Sequence, residues 1–100
     1  MGFLNGLFGK KTDFAALVQE GALLIDVRTP GEFKQGHIPG SKNIPVDQLG
    51  KRVEQIRKAG KPVILCCASG MRSGRGTRVL KAEGIEAYNG GSWASLQRQL

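Results

Sequence analysis

The sequence predicts an α/β domain with a parallel sheet covered by helices on both faces. Two runs carry the prediction, ALLIDV at residues 22–27 and VILCC at 63–67. Both are almost continuously apolar, as strands buried on two faces must be. Segments with helical spacing lie between and after them. This alternation of strand and helix favours parallel strands joined by helical crossovers. The chain has 100 residues and is 40% apolar, which suits one globular core.

Taken in order, Thr12 can cap a helix through about Glu20, with Phe14, Leu17 and Val18 inward and Gly21 after its end. The first apolar run follows. Thr29-Pro30-Gly31-Glu32 then reads as a capping box with Pro30 at the first helical position, opening a short helix that stops near Gly36. His37-Ile38-Pro39-Gly40 is a turn and residues 42–44 a short strand. Val46, Leu49, Val53 and Ile56 give one apolar helix face, ending before Gly60. Pro62 can precede a strand but not sit inside one, so the second run starts at Val63. Residues 72–83 suit a helix with Val79 and Leu80 inward and Gly84 as its stop. Residues 85–88 make a short strand, and Ser92 caps a last helix carrying Trp93, Leu96 and Leu100.

Residues 1–11 stand apart from the domain at 12–100. Phe3, Leu4, Leu7 and Phe8 share one helical face, which suits a docking segment as well as one that packs on the domain or frays. A signal peptide would need a basic start and a longer apolar stretch. No apolar run approaches the ~18 residues of a membrane span, so membrane association is not expected. The net charge of +7 suits an anionic small substrate or an acidic protein partner. The basic residues are scattered and few aromatics lie among them, so nucleic acid is not an expected partner.

The two cysteines, Cys66 and Cys67, are adjacent. Neighbouring cysteines make a strained bridge that closes almost no loop. Two thiols without a disulfide framework fit a reducing, cytoplasmic setting. With His37 as the lone histidine there is no metal set, and no cofactor is implied.

Chemistry concentrates where the second run ends. Cys67-Ala68-Ser69-Gly70-Met71-Arg72-Ser73 passes from strand through a loop into a helix, at the carboxyl edge where open α/β sheets bind ligands. Backbone N–H groups in such a loop can converge on an anion, helped by the helix N-terminus. A thiolate at its base lies in a positive field, which lowers a cysteine pKa. Cys66 lies on the strand, points the other way, and reads as core filler. Asp26 and Arg28 end the first run and brace the loop or each other. Glu32 reads as a cap, His37 as a turn residue and Trp93 as core.

Three stretches resemble the rhodanese-like family. They are Leu24-Ile25-Asp26-Val27-Arg28 with Glu32-Phe33, then Gly36-His37-Ile38-Pro39-Gly40-Ser41 with Asn43-Ile44-Pro45, then Cys67 to Ser73 with Gly90-Gly91 and Trp93. Their order and spacing cover roughly residues 12–96. The resemblance implies a five-stranded parallel sheet between helices and a sulfurtransferase in which Cys67 carries sulfur as a persulfide. The amides of residues 68–73 would hold the persulfide, and Arg72 would face an anionic donor such as thiosulfate or a small or protein persulfide. Cyanide or another thiol would be the acceptor. Phosphatases sharing this fold carry a loop one residue longer than the six from Cys67 through Arg72, so sulfur is favoured over phosphate. The loop lacks the extra basic residues of members specialised for thiosulfate, so high thiosulfate activity is not implied. The alternatives are a non-catalytic or regulatory protein-binding module and, behind it, a thiol-based phosphatase.

Overall fold

A computed structural model describes residues 12–100. The N-terminal segment, its apolar face and the boundary near Lys11 lie outside the described residues. The elements are α1 (Phe14–Gln19), β1 (Leu23–Asp26), α2 (Pro30–Lys34), β2 (Lys42–Asn43), a 3-10 segment (Val46–Arg52), α3 (Val53–Ala59), β3 (Val63–Cys67), α4 (Met71–Ala82), β4 (Ala87–Ser92) and α5 (Trp93–Arg98). The sheet is parallel throughout, in the order β2-β1-β3-β4.

Among the described residues the sheet therefore has four strands, not the five that the family resemblance implies. Among the described residues, the stretches between its strands are taken up by helices and turns.

Strand alternation divides the core into two layers. Val63, Leu65 and Cys67 of β3 pack with Ile25, Val27, Leu49, Val53, Ile56 and Leu80 beneath the 3-10 segment, α3 and α4. Ile64 and Cys66 pack on the other face with Leu24, Ile38 and Leu96, closed by Phe14, Leu17, Val18 and Trp93 of α1 and α5.

Local signals set the element ends. Thr29 and Glu32 form the expected capping box at α2, and Ser92 caps α5 by accepting from Ser95 N at 3.2 Å. At α1 the cap is Asp13 rather than Thr12, its carboxylate accepting from Ala16 N at 3.0 Å. The segment after Pro45 begins as a 3-10 turn, with Gly50 inside it weakening any α preference. Val79 is 37% exposed, contrary to the expected inward position. The buried stripe of α4 is Ser73, Gly76, Thr77 and the expected Leu80, and the first three are small or polar residues that hydrophobic periodicity does not register. β4 starts at Ala87, later than expected, because Ile85 N still bonds Leu80 O at the end of α4. No described helix is long and apolar enough to cross a membrane.

Candidate active site

β3 delivers Cys67 to the carboxyl edge of the sheet, and residues 68–70 turn the chain into α4. Gly70 makes this turn with φ +100°, which favours glycine, and a Cβ there would crowd Gly91 Cα at 3.3 Å. No side chain caps α4. Its first free amides turn to sulfur instead: Gly70 N donates to Cys67 Sγ at 3.0 Å and Ser73 N at 3.4 Å. The sulfur thus takes the place of a cap acceptor at the positive end of a 12-residue helix.

Ser73 Oγ lies 3.3 Å from Sγ. Burial pushes the Cys67 thiol up, but the Ser73 hydroxyl and the amides of Ser73, Ser69 and Gly70 outweigh it, and the pKa falls below the ordinary thiol value. Among the described residues no such donor reaches Cys66. Burial first, and then the Asp26 charge, push its thiol up to about 12. Exposure does not separate the two cysteines, which are 0% and 1% exposed. The hydrogen-bond donors do.

Arg72 extends from the first turn of α4, and its guanidinium is engaged by a carboxylate. Nη1 and Nη2 bond Glu32 Oε1 and Oε2 at 2.7 and 3.0 Å. Glu32 also accepts from Thr29 N and Oγ1. The residue expected only as a cap therefore ties α2 to α4. The Arg72 guanidinium, with the Thr29 amide, holds the Glu32 carboxyl down at about 2. The pair's contribution is thus fully present above the ordinary carboxylate range and fades only as pH falls toward that value. An incoming anion meets an arginine already paired. Of the other loop residues, Ala68 and Ser69 are exposed, as is Met71 at 81%, while Ser73 is buried.

Asp26 and Arg28 sit behind this layer as a buried pair. Arg28 Nε and Nη2 bond the Asp26 carboxylate at 2.7–3.0 Å. Nη2 also donates to Gly36 O at 2.7 Å, and the guanidinium stacks 4.9 Å over Trp93. The pair anchors the loop after β1, including α2, and through α2 it supports Glu32. His37 is a turn residue: its Nδ1 donates to Phe33 O at 2.7 Å, and its ring stacks on Phe33.

One site residue carries no sequence signal. Asn89 of β4 accepts from Ser73 Oγ at 2.7 Å and donates through Nδ2 to Gly70 O at 3.1 Å. The irregularity between Leu65 and Cys66 in the β3–β4 register, where Leu65 faces Asn89 and Cys66 already faces Gly91, leaves Gly90 as an extra residue and brings Asn89 to the loop. Gly90 allows it, since a Cβ there would come within 3.0 Å of Leu65 O and 2.9 Å of Leu96 Cδ2.

This architecture is shared with known proteins. Residues 10–96 match the rhodanese-like domain, and the chain belongs to that family. The uncharacterized protein YqhL of Bacillus subtilis is 51% identical over 69 residues, which cover 68% of this chain and 54% of YqhL. A sulfurtransferase of Allochromatium vinosum is 37% identical over 65 residues, covering 65% of this chain and 60% of that protein. The chain thus spans a little over half the length of these relatives. A crystal structure of a rhodanese-like domain protein from Staphylococcus aureus superposes with a TM-score of 0.68 at 28% identity, over 95% of this chain and 83% of that one.

Proposed function

We propose that this domain is a sulfurtransferase that carries sulfane sulfur on Cys67. The observation that carries the reading is the cradle itself: a cysteine sulfur at a strand end, capping a helix, receiving two amides and lying 3.3 Å from the Ser73 hydroxyl. The sulfurtransferase among its relatives supports the same chemistry. The Cys67 thiolate attacks the outer sulfur of a donor, the donor's S–S bond breaks, and sulfite or a thiol leaves with the electron pair. A thiophilic acceptor such as cyanide or a thiol then attacks the outer sulfur and regenerates the thiolate. This is covalent catalysis with ping-pong kinetics.

Intact mass spectrometry tests it. Thiosulfate or a small persulfide should add one sulfur atom, and cyanide should remove it. Absence of any labile sulfur adduct with these donors would sink the proposal.

Arg72 supplies a second expectation. Arg72→Ala removes the cation beside the sulfur and also frees the Glu32 carboxylate, which then repels an anionic donor. Charge-assisted hydrogen bonds contribute about 1.5–3 kcal/mol, so uptake from thiosulfate should slow on the order of ten- to a hundredfold. Adding Glu32→Gln should recover part of that loss. Unchanged uptake with a lower melting temperature would make Arg72 purely structural.

A further inference from the structure

We propose that Asn89 is a positioning residue for sulfur transfer, acting on Cys67 through the single hydroxyl proton of Ser73. The inference rests on the sulfurtransferase reading and assigns a residue outside the Cys67–Ser73 loop. Ser73 Oγ lies between two acceptors, Asn89 Oδ1 at 2.7 Å and Cys67 Sγ at 3.3 Å. A serine has one O–H to give. The orientation of the Asn89 amide is fixed by its neighbours: Gly91 N donates at 2.9 Å to the same atom that Ser73 approaches, while the other side of the amide meets the carbonyl of Gly70. The atom facing Ser73 is therefore oxygen, and Asn89 competes with the sulfur for the hydroxyl proton.

The competition follows charge around the cycle. With Cys67 protonated, its S–H donates to Ser73 Oγ and the hydroxyl donates to Asn89. When the thiol proton leaves to solvent, the hydroxyl turns to the anionic sulfur. Asn89 Oδ1 keeps its bond from Gly91. When the thiolate pair bonds the donor's outer sulfur and the donor's S–S pair departs with the leaving group, the charge moves off Sγ and the hydroxyl returns to Asn89. When an acceptor takes the outer sulfur, the electron pair of the Sγ–S bond returns to Sγ and the hydroxyl meets it again. Asn89 holds the proton ready for the sulfur without losing its own place, because Gly70 O and Gly91 N restrain its amide at both ends.

The test is a titration of the full chain, following thiolate absorbance near 240 nm. Burial pushes the Cys66 thiol up to about 12, and the same titration in a Cys66→Ala background assigns the signal to Cys67. Arg72, Glu32, Asp26 and Arg28, the charged groups around the two cysteines, are retained in every variant, and the one charge added, in Asn89→Asp, acts on the sulfur directly in the Ser73→Ala background as well. Asn89→Ala leaves the sulfur as the hydroxyl's remaining acceptor, so the Cys67 midpoint should drop by about half to one pH unit. In a Ser73→Ala background the same substitution should move it little. Asn89→Asp strengthens the competing acceptor, so the midpoint should rise, and rise more with Ser73 present than without it. A midpoint that is unchanged or higher in Asn89→Ala, or that shifts equally with and without Ser73, overturns the proposal. If Asn89→Ala does not fold, the Asn89→Asp comparison decides in the same way. No sulfur donor enters this titration, so its failure is separate from a failure of sulfur uptake.

Discussion

Cys67→Ser should abolish sulfur uptake and leave the fold intact, whereas Cys66→Ala should keep most of it. The two residues are adjacent, yet strand alternation sends them to opposite layers of the core. Cys67 meets the amides of Gly70 and Ser73 at the end of α4. Cys66 meets Ile64, Leu24 and Leu96, with its thiol held at about 12 by burial. Only the thiolate is a good nucleophile. Iodoacetamide below neutral pH should therefore label Cys67 and spare Cys66, although neither is exposed. Losing the Cys66 sulfur from the core should destabilise the domain by on the order of 1 kcal/mol. Peptide mapping after alkylation decides the matter. Equal labelling, or loss of turnover in Cys66→Ala, would mean that the second thiol resolves the persulfide as a vicinal disulfide.

The parts of this site that were legible in the sequence are those whose physics is local. A Thr-Pro-Gly-Glu box, a strand ending in cysteine and a glycine in a tight turn each act over a few residues, and each is where the sequence puts it. What was not legible depends on contacts between distant segments. Glu32 reads as a cap because its bond to Thr29 is three residues long, while its pair with Arg72 spans forty. Asn89 lies between a tyrosine and a glycine with no periodicity to mark it, and its role arises from a register shift in the sheet. Val79, expected inward, lies outward for a related reason. Apart from Leu80, the inward face of α4 is made of serine, glycine and threonine, and a Cβ at Gly76 would come within 3.1 Å of Leu49 and Leu65.

Asp26→Ala should be among the most destabilising single substitutions in the domain. The carboxylate is fully buried and accepts from Arg28 N, Nε and Nη2. Arg28 is itself only 4% exposed. Removing the acid strands a guanidinium where water cannot reach it. Breaking one side of a buried pair destabilises by about 3–5 kcal/mol, a large part of the ~5–15 kcal/mol that holds a domain together. In a domain of this size, each kcal/mol lowers Tm by roughly 4–8 °C. The damage should also reach the site, because Arg28 holds the carbonyls of Glu32 and Gly36 and so fixes the helix from which Glu32 grips Arg72. Urea unfolding measures the first effect. A double variant separates the orphaned charge from the lost bonds: Asp26→Leu with Arg28→Met leaves no buried charge and should recover much of the stability. If Asp26→Ala unfolds within 1 kcal/mol of the parent (on the order of one ordinary hydrogen bond), the pair is not the brace described here. If the double variant is no more stable than Asp26→Ala, the loss lies in the geometry of the loop after β1 rather than in the stranded charge.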